Sequence, residues 1–175
     1  MKYIVLILSL YFSGIASAGQ MNVGGGYGPQ KLDEWRQHNG VIDLSYTFYE
    51  YNKRESWQFN LGVGYSYIFS DTKDNNDVHV FSVLPSLRYN FKKSGSFLPF
   101  LEVTIGPSYI SEKQLGSQKK GEHFTFNDFF TIGVRWGKKQ DWEFRYSWQH
   151  LSNGNLFHPN SGWDIPFTFH FGRRF

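Results

Sequence analysis

Large apolar residues alternate with small or polar ones along most of the chain. Trp57, Phe59, Leu61, Val63, Tyr65, Tyr67 and Phe69 share one parity, and Gln58, Asn60, Gly62, Gly64, Ser66 and Ile68 take the other. A period of two assigns each set to one face of an extended strand, because successive side chains leave opposite sides of the pleat. The pattern returns at Phe81, Val83, Pro85, Leu87, Tyr89 and Phe91, opposite Ser82, Ser86, Arg88 and Asn90. It returns again at Leu101, Val103, Ile105 and Tyr109, opposite Glu102, Thr104, Gly106 and Ser108. Phe130, Ile132, Val134 and Trp136 then oppose Thr131, Gly133 and Arg135, and Trp142, Phe144, Tyr146 and Trp148 oppose Glu143, Arg145, Ser147 and Gln149. A last run holds Trp163, Ile165, Phe167, Phe169 and Phe171, and fainter alternation over 20–28 and 38–49 raises the expectation to eight strands.

The connections sort into two kinds. Segments 50–56, 92–96 and 137–140 are short, whereas 29–37, 70–77, 111–122 and 153–162 are longer, polar and rich in Gly, Asn and Asp. Short turns at one end and longer loops at the other are the pattern of an outer-membrane barrel. A water-soluble barrel would turn its apolar face inward, yet eight strands leave interior room for side chains and little more. Rows of large aromatic residues overfill that space, while Gly, Ser and paired charges fit it. The pattern therefore predicts an all-β fold, an eight-stranded antiparallel transmembrane β-barrel with its aromatic face toward lipid. Arg88, Glu102, Arg135, Glu143 and Arg145 then form an ionic plug inside. The final residue, Phe175, resembles the terminal aromatic of outer-membrane proteins.

Composition removes the competing classes. The 175 residues include 18 Phe, 11 Tyr and 6 Trp, but only 40% are hydrophobic. Helical spans need about 20 consecutive apolar residues, and disordered chains are poor in aromatics. The absence of Cys leaves no disulfide framework and no thiol chemistry. A formal net charge of +3 is too weak to argue for nucleic acid. Residues 1–18 read as a secretory signal peptide, with Lys2, an apolar core over 4–12 and a small-x-small site at Ala16-Ser17-Ala18. Residues 19–175 are then a single barrel domain in the cell outer membrane.

One place breaks the aromatic row. The outward parity of the seventh strand runs 142, 144, 146, 148, and its next two positions are His150 and Ser152. Residues two apart on one strand face stand about 6.6 Å apart, close enough for an imidazole and a hydroxyl to converge as base and nucleophile. With the N-terminus in the periplasm this strand runs outward, and eight residues of tilted strand rise roughly 20 Å from the turn near Lys139. His150 thus stands near the outer-leaflet boundary, where the lipid is lipopolysaccharide and an acyl ester is a natural substrate.

Gln149-His150-Leu151-Ser152-Asn153, followed by Pro159-Asn160 and an acid at Asp164, resembles the PagL-type lipid A 3-O-deacylase family of eight-stranded outer-membrane esterases. The resemblance implies removal of the 3-O-linked acyl chain of lipid A, without cofactor or metal. It implies that Ser152 attacks the ester, His150 moves the proton, Asp164 orients the imidazole, and Asn160 with Asn153 or nearby backbone amides holds the oxyanion. The substrate partner is lipopolysaccharide, and a homodimer is left open. The family usually carries Glu where this chain has Asp164, one methylene shorter. Strict alternation in the eighth strand also turns Asp164 inward, and a bulge near Pro166 would return it to the wall. Glu143 is the alternative acid, with lumen parity that suits a structural partner better.

The other His residues carry weaker signals. His38, His79 and His123 lie near loop edges without metal-ligand spacing, His158 falls in the loop after Ser152, and His170 has lumen parity. Lys31, Arg36, Lys113, Lys119 and Lys120 fall in outward loops, a composition equally natural for solvated loops. Two other functions compete: a non-enzymatic structural or adhesion barrel, and a lipid A palmitoyltransferase. The latter needs an acyl cavity inside the barrel, against which the charged inner face argues.

Overall fold

The computed structural model describes residues 19–31, 34–52 and 56–175, so the segment read as a signal peptide lies outside the described residues. The strands are β1 (Gln20–Lys31), β2 (Glu34–Asn52), β3 (Trp57–Ser70), β4 (Asp77–Asn90), β5 (Leu98–Ile110), β6 (Gln114–Leu115), β7 (Gln118–Lys119), β8 (Phe124–Trp136), β9 (Trp142–Ser152) and β10 (Trp163–Arg174). β6 and β7 pair as a small hairpin inside the β5–β8 loop, and the other eight close a barrel in which β1 pairs with β10. Every barrel pairing is antiparallel.

The barrel is inside out relative to a soluble protein. Ile42, Phe81, Ile105, Phe130, Ile132, Phe144 and Phe169 stand exposed on the outer wall, while Arg88, Gln58, Glu102 and Glu143 are buried. A contiguous apolar wall of this extent marks contact with another solvent, and lipid is the solvent that fits a closed sheet with no open edge.

The inner face differs at its two ends. Toward the short turns, Arg88 donates to Glu102 and Glu143 at 2.7 Å each, Arg135 donates to Glu143 at 2.7 Å, and Arg145 reaches Glu102 at 2.9 Å. This is the expected ionic plug, and removing any one partner would strand a buried charge. Toward the long loops, the interior also holds an apolar cluster of Val41, Ile68, Val78, Val80, Ile110, Leu115, Leu151, Trp163 and Ile165, beside the buried amides of Gln30, Gln37 and Asn39. The polar lumen expected from the sequence therefore fills only part of the barrel. The cavity among Asp43, Ser66, Thr104, Asn127 and His170 holds about 40 Å³, room for a water molecule and far too little for an acyl chain.

The loop expected over 29–37 is mostly strand. β1 and β2 run to Lys31 and from Glu34, and only residues 32–33 lie between them. Inward amides hold this extension: Gln37 donates to Asn39 at 2.9 Å, and Asn39 donates to Gln30. Polar residues on the inner side gave no apolar alternation to read.

Candidate active site

β9 carries its large side chains outward at even positions, and His150 and Ser152 complete that row at the long-loop end. In the flanking strands, His150 is the register partner of Asp128 on β8 and of Asp164 on β10, and Ser152 is the partner of Phe126. The imidazole therefore stands between two acid-bearing positions on the outer wall.

Asp164 reaches the wall through a bulge. Ile165 pairs with Gln149 but Thr168 pairs with Ser147, so β10 holds one extra residue between them. Pro166 sits there, where its missing N–H leaves no ladder bond unmade, and its carbonyl accepts the Tyr146 hydroxyl at 3.2 Å. The outward residues are odd-numbered beyond the bulge (Phe167, Phe169, Phe171) and even at Asp164. The Asp164 carboxylate then lies 2.7 Å from His150 Nδ1 and accepts the Trp148 indole N–H at 3.2 Å. The strand start is anchored from inside, with the Asp164 N–H donating to Gln30 at 3.4 Å and its carbonyl accepting from Asn39 at 3.1 Å.

The protonation pattern follows from this geometry. An ionised carboxylate only accepts, so the Asp164 contact calls for a proton on His150 Nδ1, and in the neutral ring Nε2 is then the acceptor. The Ser152 hydroxyl is half-buried and, among the described residues, takes no side-chain hydrogen bond. Its neighbour Leu151 points into the apolar cluster, so packing from within fixes the two outward side chains.

The loop 153–162 folds back over this row. Asn160 Oδ1 accepts the Asn153 backbone N–H at 3.0 Å, and the Asn160 amide donates one N–H to Asn155 at 3.1 Å, leaving a second N–H on the same nitrogen. Asn153 is fully buried and donates to the Phe157 carbonyl at 2.7 Å, so its side chain braces the loop rather than facing the wall. The turn uses Gly154 and Asn155 at φ of 61° and 62°, a left-handed conformation that these two residue types tolerate best. Gly162 lies against the imidazole: a Cβ there would come 2.7 Å from His150 Cε1.

Several of these participants escaped sequence reading. Asp128 was reachable by parity, since even positions on β8 face outward with Phe130 and Ile132. Gly162, and the bond from the Trp148 indole to Asp164, depend on the bulge and left no such signal. Lys120, grouped by sequence with solvated loop cations, is instead only 3% exposed. Glu143 lies wholly within the ionic plug. Of the other His residues, His38 bonds Asp71 at 3.0 Å, His79 bonds the Tyr65 hydroxyl at 2.8 Å, His123 bonds the Ile110 carbonyl at 2.7 Å, and His170 bonds Asp43 inside the barrel at 3.1 Å.

The family model for lipid A 3-O-deacylase (PagL) matches residues 21–172. The lipid A deacylase PagL of Pseudomonas aeruginosa is 29% identical over 113 residues, which cover 61% of this chain and 63% of that protein's length. The chain thus aligns with slightly less than two thirds of that relative. The crystal structure of the outer membrane enzyme PagL matches with a TM-score of 0.63 at 20% identity, over 90% of this chain and 99% of that one. Neisserial surface protein A matches with a TM-score of 0.57 at 11% identity, over 90% and 96% of the two chains. At these identities the two structural matches speak for the barrel architecture, shared by proteins with different names.

Proposed function

The chain belongs to the lipid A 3-O-deacylase (PagL) family, and on that premise we propose that it hydrolyses the 3-O-acyl ester of lipid A by a serine mechanism. The barrel stands in the outer membrane with its long loops outward. The observation that carries the proposal is the His150–Asp164 pair at 2.7 Å, set in the same outward row as Ser152 at the outer-leaflet end of β9.

The chemistry follows from these positions. Acyl chains lie along the wall among Tyr146, Trp148 and Phe167, and the ester carbonyl meets Ser152. Rotation of the Ser152 side chain toward His150 Nε2 forms the base–nucleophile contact, which in a substrate-free site is commonly open. Ser152 Oγ attacks the carbonyl carbon as Nε2 takes its proton, and Asp164 stabilises the imidazolium. The remaining Asn160 N–H, with nearby backbone amides, faces the developing oxyanion, a role worth on the order of 10²–10³ in rate. Asn153 contributes by fixing Asn160. Collapse expels the sugar alkoxide, which takes the proton from His150 and leaves an acyl-Ser152. Water, giving its proton to His150, attacks that ester and releases the 3-hydroxy fatty acid, with the proton returned to Ser152.

All of these residues come from one chain, and no step above calls on a second copy. The lumen cavity of about 40 Å³ is too small for the acyl chain that a palmitoyltransferase would have to hold inside the barrel. The test is the mass of lipid A from cells with and without the protein. Loss of one 3-hydroxyacyl group supports the reading, and an unchanged mass or a gained acyl chain refutes it.

A further inference from the structure

Lys120 is a buried cation for which the mechanism above has no use. It lies in the β5–β8 loop, beside β7, and is 3% exposed. Lysine is almost never buried so deeply unless its charge is met. Here the ammonium donates to the Leu151 carbonyl at 2.9 Å and to the Ser161 carbonyl at 3.0 Å, and it stands 4.7 Å from the centre of the Trp163 ring. Each partner adjoins a residue of the proposed chemistry. Leu151 separates His150 from Ser152, Ser161 follows Asn160, and Trp163 precedes Asp164.

The backbone makes the same junction. Lys120 and Asn160 form an isolated antiparallel bridge, and the Ser161 N–H donates to the Lys119 carbonyl at 2.8 Å. The Lys120 N–H is itself tied to the Lys113 carbonyl at 2.8 Å, which steadies the loop that delivers it. Charge-assisted bonds of this kind are roughly twice as strong as neutral ones, and an ammonium over an indole face adds further attraction when desolvated.

We infer that Lys120 is a positioning residue for the deacylation proposed above, a single cation that holds the nucleophile strand, the oxyanion loop and the acid strand in one geometry. The inference rests on that reading and deepens it. Burial pushes the ammonium down to about 8, with the Asp164 carboxylate opposing the fall. Asp164 is the acid on the strand packed against it, His150 the titratable neighbour on β9, and Lys113, Lys119 and Glu122 the charges of its own loop. Above pH 8 the neutral amine keeps N–H donors but loses the charge that strengthens both carbonyl bonds and the ring contact.

The test is steady-state deacylation of purified lipid A in detergent by the full-length protein, its Lys120→Met variant and its Lys120→Arg variant, across pH 6–10. A misplacement of about 1 Å can cost about 10²-fold, so Lys120→Met should lose about that factor in kcat. Its KM should stay within about threefold, because acyl binding on the wall is untouched. The wild type should lose activity above about pH 8. Lys120→Arg, which cannot deprotonate, should recover part of kcat and lack that alkaline fall. A Lys120→Met protein with wild-type kcat and pH profile overturns the inference while leaving the deacylase reading intact; a wild type without deacylase activity overturns both.

Hydrogen exchange on the wild type supplies a readout independent of any variant. The amides of Asn153 and Ser161 should exchange at least about tenfold more slowly than those of the exposed loop residues Lys73 and Asp74. Equal exchange in the two loops would mean that the catalytic loop is not clamped, and would overturn the inference whatever the variants do.

Discussion

His150 and Asp164 face each other across β9 and β10 at 2.7 Å, although plain alternation along β10 directs Asp164 into the lumen. One extra residue at Pro166 reverses the parity, and the Tyr146 hydroxyl bonds the carbonyl that the bulge displaces. The backbone therefore brings the acid to the imidazole. Asp164→Asn keeps the shape but can donate to His150, which favours the wrong imidazole tautomer. The expected loss in kcat is about 10⁴. Asp164→Glu adds a methylene to a contact already at hydrogen-bond length, and a loss of about 10²-fold is expected from misplacement. Single-turnover deacylation of lipid A by the two variants checks both values. An Asn variant more active than the Glu variant would contradict the role given to the charge.

Ser152→Ala and His150→Ala should each abolish deacylation, by at least about 10³-fold, while the barrel still folds. Both side chains occupy outward positions, and neither contributes to the ionic plug or to the apolar cluster beneath the site. Lipid A mass spectra, paired with heat-modifiable migration of the barrel on gels, separate lost chemistry from lost structure. Full deacylation by either variant would remove that residue from the mechanism.

Gly162→Ala tests how closely the backbone covers the imidazole. The added Cβ would fall 2.7 Å from His150 Cε1, well inside van der Waals contact, and the ring is the part free to move. Displacing it lengthens the bond to Asp164 and turns Nε2 away from Ser152. A kcat lower by roughly 10–10²-fold is expected with thermal stability little changed. Wild-type kcat in this variant would show that the ring has slack that this structure does not suggest.

How much of this could be read without coordinates depends on whether neighbours in sequence or in space carry it. The row from Trp142 to Ser152 was legible because period two is local, and a His and a Ser in an aromatic row stand out. β1 and β2 were read too short because Gln30, Gln37 and Asn39 face inward and their order comes from one another. A bulge at Pro166 was foreseeable as a possibility, since Pro lacks the N–H of a ladder bond. That Tyr146 would stabilise it was not. Lys120 was the least legible: its charge is surface-like, and only the meeting of two loops over Trp163 buries it.

Glu143 separates structural charge from catalytic charge. It accepts from Arg88 and Arg135 at 2.7 Å and also pairs with Arg145, all within the lumen at the short-turn end. Glu143→Gln keeps the volume but leaves three guanidiniums around a neutral amide that can itself donate. Breaking a buried ion pair by removing one partner costs about 3–5 kcal/mol, so the urea midpoint of the barrel should drop clearly. The chemistry sits on the opposite face of the wall and at the other end of β9, so folded Glu143→Gln should retain kcat within about threefold of wild type. If the folded variant instead lost activity as Asp164→Asn does, the acid acting on His150 would have been misassigned.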